Sequence, residues 1–143
     1  MKIMILNGPN LNMLGIREPQ VYGTEGYDAL CTYVRSRCAD DELQFFQSNS
    51  EGAIIDRLHA CYFERFDGIV INPGAYTHYS YAIYDAIKAI GIPTVEVHIS
   101  DIGSREAFRR VSVTAPACIA QISGRGIEGY VLAVRRLKEF DHA

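Results

Sequence analysis

The feature of this sequence that most restricts its fold is a regular alternation of short apolar segments with longer segments of helical periodicity. The short segments are rich in β-branched or aromatic residues, which favour strands. They are Ile3–Leu6, Gln44–Gln47, Gly68–Ile71, Thr94–Ile99 and Cys118–Ile122. Apolar residues at helical spacing predict helices over 25–38, 51–65, 79–90 and 126–140. Ser50 is suited to cap the second helix, and Gly91-Ile92-Pro93 to end the third.

This alternation predicts βαβ crossovers, which are nearly always right-handed and place helices on both faces of a parallel sheet. We therefore expect an α/β fold, a flavodoxin-like three-layer sandwich with a five-stranded parallel sheet. A composition with 48% hydrophobic and 22% charged residues argues against disorder. Residues 1–143 are interpreted as a single domain. In such sheets ligands bind beyond the carboxyl ends of the strands, so function is expected there.

Composition and patterning also argue against several classes of function. A net charge of −3 provides no overall basic field for nucleic acid or an anionic membrane. The apolar runs are far shorter than the roughly 20 residues that cross a bilayer, and no signal-peptide pattern is visible, so we expect a cytoplasmic protein. The four cysteines form no CxxC pair and no metal-binding pattern with the histidines, so no metal site is expected.

The segment after the first strand, from Asn7 to Gly23, is long for a βα connection and contains neither GxGxxG nor GxxxxGK[ST]. Dinucleotide and ATP binding are therefore disfavoured. Arg17 and Tyr22 are five residues apart in this loop. A neighbouring cation lowers the pKa of a phenol, which makes Tyr22 a candidate general base. The alternative is that Tyr22 packs against the protein while Arg17 pairs with Glu18 or water.

Polar residues also follow the third and fourth predicted strands. The segment from Asn72 to His78 offers groups for binding hydroxyls, although Asn, Pro and Gly are also ordinary turn formers. Strand alternation places Glu96, His98 and Ser100 on one face, where they form either a buried polar network or a substrate site. We favour the site. Cations follow in the run from Arg105 to Arg110, as a solvated face or as an anion clamp.

Together these motifs resemble the type II 3-dehydroquinate dehydratases of the shikimate pathway. The resemblance spans nearly the whole chain. The matching segments are Leu6-Asn7-Gly8-Pro9-Asn10-Leu11, Leu14-Gly15, Arg17-Glu18-Pro19, Tyr22-Gly23, Ile71-Asn72-Pro73-Gly74-Ala75-Tyr76-Thr77-His78, Val95-Glu96-Val97-His98-Ile99-Ser100, Arg105-Glu106, Phe108-Arg109 and Gly129-Tyr130.

The resemblance implies conversion of 3-dehydroquinate to 3-dehydroshikimate and water through an enolate, without a cofactor. Tyr22 would remove the proton from carbon 2, and Arg17 would stabilise its phenolate. Asn10 would hold a water that stabilises the enolate. His98, oriented by Glu96, would protonate the departing hydroxyl.

The family also implies the residues that bind the substrate. Asn72, His78 and Arg109 would bind the ring hydroxyls, and the amides of Ile99 and Ser100 would hold the carboxylate. The family's assembly is a homododecamer of four trimers, in which Asp85 would approach the site of a neighbouring subunit.

The chain departs from the family's pattern at Asp101, at Gly103-Ser104 and at Arg125, none of which is a proposed catalytic position. An acid at 101 is expected to weaken anion binding, and a charged Arg125 to alter packing or assembly. The loop 12–23 is expected to act as a lid. Two other functions are weighed: a flavodoxin-like module that binds FMN or another phosphate ligand, and a catalytically silent scaffold.

Overall fold

The protein, described by a computed structural model over residues 1–16 and 26–141, contains a five-stranded parallel sheet. The strands are β1 (Lys2–Asn7), β2 (Glu42–Gln47), β3 (Gly68–Asn72), β4 (Thr94–His98) and β5 (Ala120–Ser123). Their order is β2-β1-β3-β4-β5, and every neighbouring pair is parallel. The predicted α/β fold and five-stranded parallel sheet are confirmed.

Helices cover both faces of this sheet. They are α1 (Tyr27–Arg37), α2 (Glu51–Phe63), α3 (Tyr81–Ile90) and α4 (Glu128–Asp141). One buried cluster joins α1 and α4 to sheet residues such as Ile5 and Val97, and the other joins α2 and α3 to Leu6 and Ile71. Because successive strand residues point to opposite faces, β1 contributes to both clusters. This arrangement gives the three layers that the sequence predicts.

The predicted helix signals at Ser50 and Gly91 are confirmed. Ser50 Oγ accepts a hydrogen bond of 3.2 Å from the amide of Ala53 at the start of α2. Gly91 has a φ of 67°, a left-handed conformation that ends α3. The helix α2 ends at Phe63 rather than at residue 65, where Arg65 has a φ of 61° that is incompatible with a right-handed helix.

Other predicted boundaries are shifted for local reasons. The strand β5 begins at Ala120 instead of Cys118, because residues Ala115–Ala117 form a 3₁₀ turn. The amide of Cys118 donates to the carbonyl of Ala115 in that turn, at 2.8 Å, and is not used in the sheet. The helix α3 begins at Tyr81 instead of residue 79, because Ser80 caps it through the amide of Ile83. The strand β4 ends at His98 instead of Ile99.

The strand order places a topological switch between β1 and β3, since the chain leaves β1 toward β2 and returns on its other side. Asn7 and Asn72 are register partners at the carboxyl ends of these two strands. A crevice at such a switch point is where open α/β sheets bind ligands. Over the described ranges, no helix combines enough length with enough apolar character to cross a membrane.

Candidate active site

A cleft of about 630 Å³ of empty space, counted to its open mouth, lies at the carboxyl ends of β1, β3 and β4. Predicted site residues from separate parts of the sequence line it together. They are Asn10, Asn72, His78, His98, Ile99, Ser100 and Arg109. The cleft is also lined by Arg105, which belongs to the basic run but is not among the predicted site residues.

The loops after β1 and β3 approach each other closely at the floor of this cleft. The amide of Gly8 donates to the carbonyl of Asn72 at 2.7 Å. A Cβ atom at Gly8 would lie 2.5 Å from the carbonyl oxygen of Pro73, so only glycine fits without a backbone shift. Asn10 has a φ of 71°, which asparagine tolerates better than most residues. The two loops therefore form one surface.

The side chain of Asn72 both stabilises the turn after β3 and lines the cleft. Its Oδ1 accepts a hydrogen bond from the amide of Gly74 at 3.1 Å, as expected of turn chemistry. Its Nδ2 donates to the hydroxyl of Tyr130 at 3.0 Å, and that hydroxyl donates to Asn7 Oδ1 at 2.6 Å. The Asn72 amide thus keeps one N–H that these bonds do not use, while the side chain lines the cleft.

Tyr130 is a supporting residue whose role the sequence did not reveal. It is fully buried in α4, beneath the ends of β1 and β3. Burial raises the pKa of its hydroxyl well above the ordinary value, with the hydrogen bond from Asn72 acting in the opposite direction. The neutral hydroxyl joins two buried asparagines. In the sequence it is indistinguishable from an aromatic residue of an apolar helical stripe.

Glu96 and His98 form a buried pair, as strand alternation predicts. His98 Nε2 lies 2.8 Å from Glu96 Oε2, with Glu96 fully buried and His98 5% exposed. Burial by itself raises the pKa of Glu96, but the hydrogen bond and charge of His98, with hydrogen bonds from Thr114 and Gln121, lower it below its ordinary value. The polar row on β4 is therefore a buried network at Glu96 and a cleft wall at His98.

The ionised Glu96 fixes which nitrogen of His98 faces the cleft. A carboxylate accepts only, so Nε2 must carry the proton of the bond to Glu96. Nδ1 is the nitrogen left for a ligand, and it has no hydrogen-bond partner within residues 1–16 and 26–141. A protonated His98 thus presents an N–H to the cleft.

Two arginines of the basic run line the cleft. Arg105 donates from Nη1 to Ser100 Oγ at 3.2 Å, and Arg109 donates from Nε to Glu106 Oε2 at 2.5 Å. Glu106 also lies 3.9 Å from Arg105 Nε. The run is therefore not a solvated helical face, since only Ala107–Arg109 forms a short 3₁₀ turn and both arginines border the cleft.

His78 lines the cleft from the turn after β3. Its Nδ1 lies 2.7 Å from the carbonyl of Val111 and must donate there, because a carbonyl only accepts. In the neutral ring, Nε2 is then the acceptor available to a ligand hydroxyl.

Four predicted site residues do not line the cleft in the described structure. Glu96 is fully buried beside His98. Arg17 and Tyr22 lie outside the described residues, as does most of the predicted lid. Asp85 is exposed on α3 and does not line the cleft of its own chain. Over the described ranges, no group of three His, Cys, Asp or Glu residues is arranged to hold a metal ion.

Asp101 does not line the cleft. Its Oδ1 accepts from the amide of Gly103 at 3.0 Å, which caps the short turn Ile102–Ser104. This carboxylate is used in local capping but adjoins Ser100, which lines the cleft, so weaker anion binding stays a prediction. Arg125 is exposed in the turn before α4.

The whole chain is similar to proteins of one family. A family profile described as "Dehydroquinase class II" matches residues 1–138. The 3-dehydroquinate dehydratase of Caldicellulosiruptor bescii is 59% identical over 141 residues, covering 96% of this chain and 97% of that protein. The protein of the same name from Clostridium beijerinckii is 57% identical over 140 residues, covering 96% of each chain.

A solved structure agrees with these sequence relatives. The crystal structure of type II dehydroquinase from Butyrivibrio crossotus superimposes with a TM-score of 0.95 at 52% identity, covering 96% of this chain and 97% of that one. The two chains therefore share one architecture over nearly their whole lengths. The protein is therefore an enzyme of the class II dehydroquinase family, with that family's flavodoxin-like fold.

Proposed function

We propose that this protein is a 3-dehydroquinate dehydratase, which eliminates water from 3-dehydroquinate to give 3-dehydroshikimate. The observation that carries the proposal is the Glu96–His98 pair, with a bond of 2.8 Å, opening on a cleft that Arg105 and Arg109 also line. The pair supplies a general acid, and the arginines supply the charge that an anionic carboxylate substrate requires. The relatives that cover almost the whole chain carry this activity in their names.

In this mechanism Tyr22 acts as the base and His98 as the acid. The Tyr22 phenolate, stabilised by Arg17, takes the proton from carbon 2 and leaves an enolate. A water held by Asn10 donates to the enolate oxygen. The His98 imidazolium then donates its Nδ1 proton to the departing hydroxyl, which leaves as water as the enolate electrons form the carbon–carbon double bond. Transfer of a proton from the Tyr22 phenol to His98 through solvent restores both groups.

The substrate is held by groups on three sides of the cleft. Asn72 has an amide N–H for a ring hydroxyl, and His78 has Nε2 as an acceptor. Arg109, which also lines the cleft, binds the ring hydroxyls, and the backbone amides of Ile99 and Ser100 hold the carboxylate. No lysine lines the cleft within the described residues, which favours enolate chemistry over a Schiff base. As the family resemblance implies, the reaction is proposed to need no cofactor.

The enzyme is proposed to act as a homododecamer of four trimers. Tyr81 and Asp85 are exposed and four residues apart, so they share one face of α3. An exposed aromatic residue beside a carboxylate is suited to an interface in which Asp85 approaches a neighbouring cleft. Light scattering on the purified protein tests this assembly, and a stable monomer with full activity would contradict it.

The proposed activity is tested by ultraviolet absorbance after the protein is mixed with 3-dehydroquinate. Loss of water creates a conjugated enone carboxylate, which absorbs where the substrate does not. We expect a rise that is unchanged after treatment with borohydride in the presence of substrate, since no lysine imine forms. A folded, oligomeric protein that produces no rise would contradict the proposal. A yellow preparation with bound flavin would favour the ligand-binding module instead.

A further inference from the structure

The carboxylate of Glu96 receives more hydrogen bonds than its pairing with His98 requires. Gln121 Nε2 donates to Glu96 Oε2 at 2.8 Å, and Ser112 Oγ donates to the same oxygen at 2.8 Å. Thr114 Oγ1 donates to the other oxygen, Oε1. We call Ser112, Thr114 and Gln121 the Glu96 cradle.

The cradle comes from parts of the chain distant in sequence from β4. Gln121 is the register partner of Glu96 on β5. Ser112 and Thr114 precede the 3₁₀ turn Ala115–Ala117. The amide of Ala115 donates to Ser112 Oγ at 2.9 Å, which directs the hydroxyl hydrogen toward Glu96. Thr114 is fully buried. The turn that shortens β5 thus positions two hydroxyl donors.

The donors around Glu96 favour the ionised form of its carboxyl group. An ionised carboxylate accepts at about four lone-pair sites and donates nothing, which suits donors from His98 and the three cradle residues. A protonated carboxyl group would bring a hydrogen of its own into a site already filled with donors. Each donor to a buried anion is worth more than a bond between neutral groups. The cradle therefore offsets the burial of a charge.

The thiol of Cys118, the other ionisable group whose pKa Glu96 affects, does not supply a second negative charge to the site. Cys118 lies at the start of the connection to β5, and burial followed by the negative charge of Glu96 raises the pKa of its thiol to about 12. A neutral thiol adds no charge to the site. Of the two groups, Cys118 and His98, only His98 is hydrogen-bonded to Glu96 in the described part of the chain.

We propose that Ser112, Thr114 and Gln121 are positioning residues for the dehydration: they hold Glu96 as an anion, which keeps the shared proton on His98 Nε2 and leaves Nδ1 facing the cleft. The inference rests on the proposed function, because it assigns His98 as the acid. None of the three cradle residues lines the cleft, so their effect on the reaction is transmitted through Glu96.

The kinetic test replaces the buried donor by a residue of similar shape, Thr114→Val. We expect kcat to fall about tenfold with KM changed less than about twofold, because substrate contacts are kept. Loss of a donor to Glu96 raises its pKa, so the acidic limb of the kcat profile should move about one unit to higher pH. Thr114→Ser should restore both values.

The matched control is Thr94→Val on the same strand as Glu96. Thr94 is also buried, but its hydroxyl donates to the carbonyl of Ile92 at 2.9 Å, away from the pair. This variant should leave the pH profile in place. A wild-type profile for Thr114→Val, or an equal shift for Thr94→Val, would overturn the inference.

A second measurement does not depend on activity. Nitrogen-15 NMR of labelled histidine, assigned with His98→Gln, reports which ring nitrogen of neutral His98 carries the proton. We expect the Nε2–H form in the wild type and a mixture of both forms in Thr114→Val. A wild-type Nδ1–H form would overturn the inference. An inactive wild type with the Nε2–H form would contradict the proposed function while supporting the cradle.

Discussion

The two halves of the cleft are built in different ways. On the β4 half, Glu96 and His98 sit in a regular strand and are fixed by hydrogen bonds inside the protein. On the β1 half, Asn10 is exposed and has a left-handed backbone conformation. Its backbone amide donates to Asn49 Oδ1 at 3.0 Å, near solvent. The proposed acid, His98, is thus part of the core, whereas Asn10 lies on a surface loop. Substitutions on the β4 half should cost stability and activity together, and those on the β1 half mainly activity.

The largest loss is expected for Glu96→Gln on the β4 half. The amide brings N–H donors into a site already filled with donors, and leaves His98 without its anion. We expect the free energy of unfolding to fall by about 3 kcal/mol and kcat to fall about 100-fold. Denaturant unfolding and the absorbance assay measure the two effects. Glu139→Gln, at an exposed position of α4, is the control. Wild-type turnover in Glu96→Gln would remove the Glu96–His98 pair from the mechanism.

A smaller loss is expected for Tyr130→Phe, which lies beneath both β1 and β3. The change leaves Asn7 and Asn72 without their shared hydrogen-bond partner, so the free energy of unfolding should fall by about 2 kcal/mol. KM should rise, because Asn72 is no longer held in place for a substrate hydroxyl. The exposed Tyr62→Phe serves as the control. Unchanged stability and KM would show that the asparagines are positioned by other contacts.

Acid should weaken the β4 half through Glu96. A carboxyl group whose pKa is lower in the folded state stabilises the fold above its unfolded-state pKa, and this contribution is lost as the pH falls through the folded-state pKa. The pKa of Glu96 is lowered in this way by His98 and the cradle, against the effect of burial. Below an ordinary carboxyl pKa, wild-type stability should therefore fall more steeply than that of Glu96→Gln. Parallel pH profiles for the two proteins would contradict this assignment.

The smallest effect on stability is expected for Asn10→Gly on the β1 half. The φ of 71° suits glycine, so the free energy of unfolding should change by less than about 0.5 kcal/mol. Turnover should still fall at least about tenfold, because the variant lacks the side-chain amide of Asn10 that is proposed to hold the enolate-stabilising water. Should this variant lose stability as Glu96→Gln does, the contrast between the two halves would be wrong.

The same contrast explains what could be predicted from the sequence. Alternation along β4 places Glu96 and His98 on one face, and the parallel sheet brings them near Asn72, because these relations depend only on local periodicity and strand direction. Thr114 and Gln121 reach Glu96 across a turn and a neighbouring strand. Such contacts depend on register, which the pattern of a single strand does not specify. The role of Tyr130 was not predicted, although Gly129-Tyr130 is among the segments that carry the resemblance, because a buried hydroxyl on a helix follows the same periodicity as an apolar side chain.

His98, held by Glu96, is proposed to be the acid of a dehydration reaction. The most direct test compares His98→Ala with His59→Ala, an exposed histidine on α2, in the absorbance assay with 3-dehydroquinate. We expect wild-type turnover for His59→Ala and a loss of about 100-fold or more for His98→Ala, with both proteins folded. Turnover of His98→Ala within a few-fold of the wild type would contradict this role of His98.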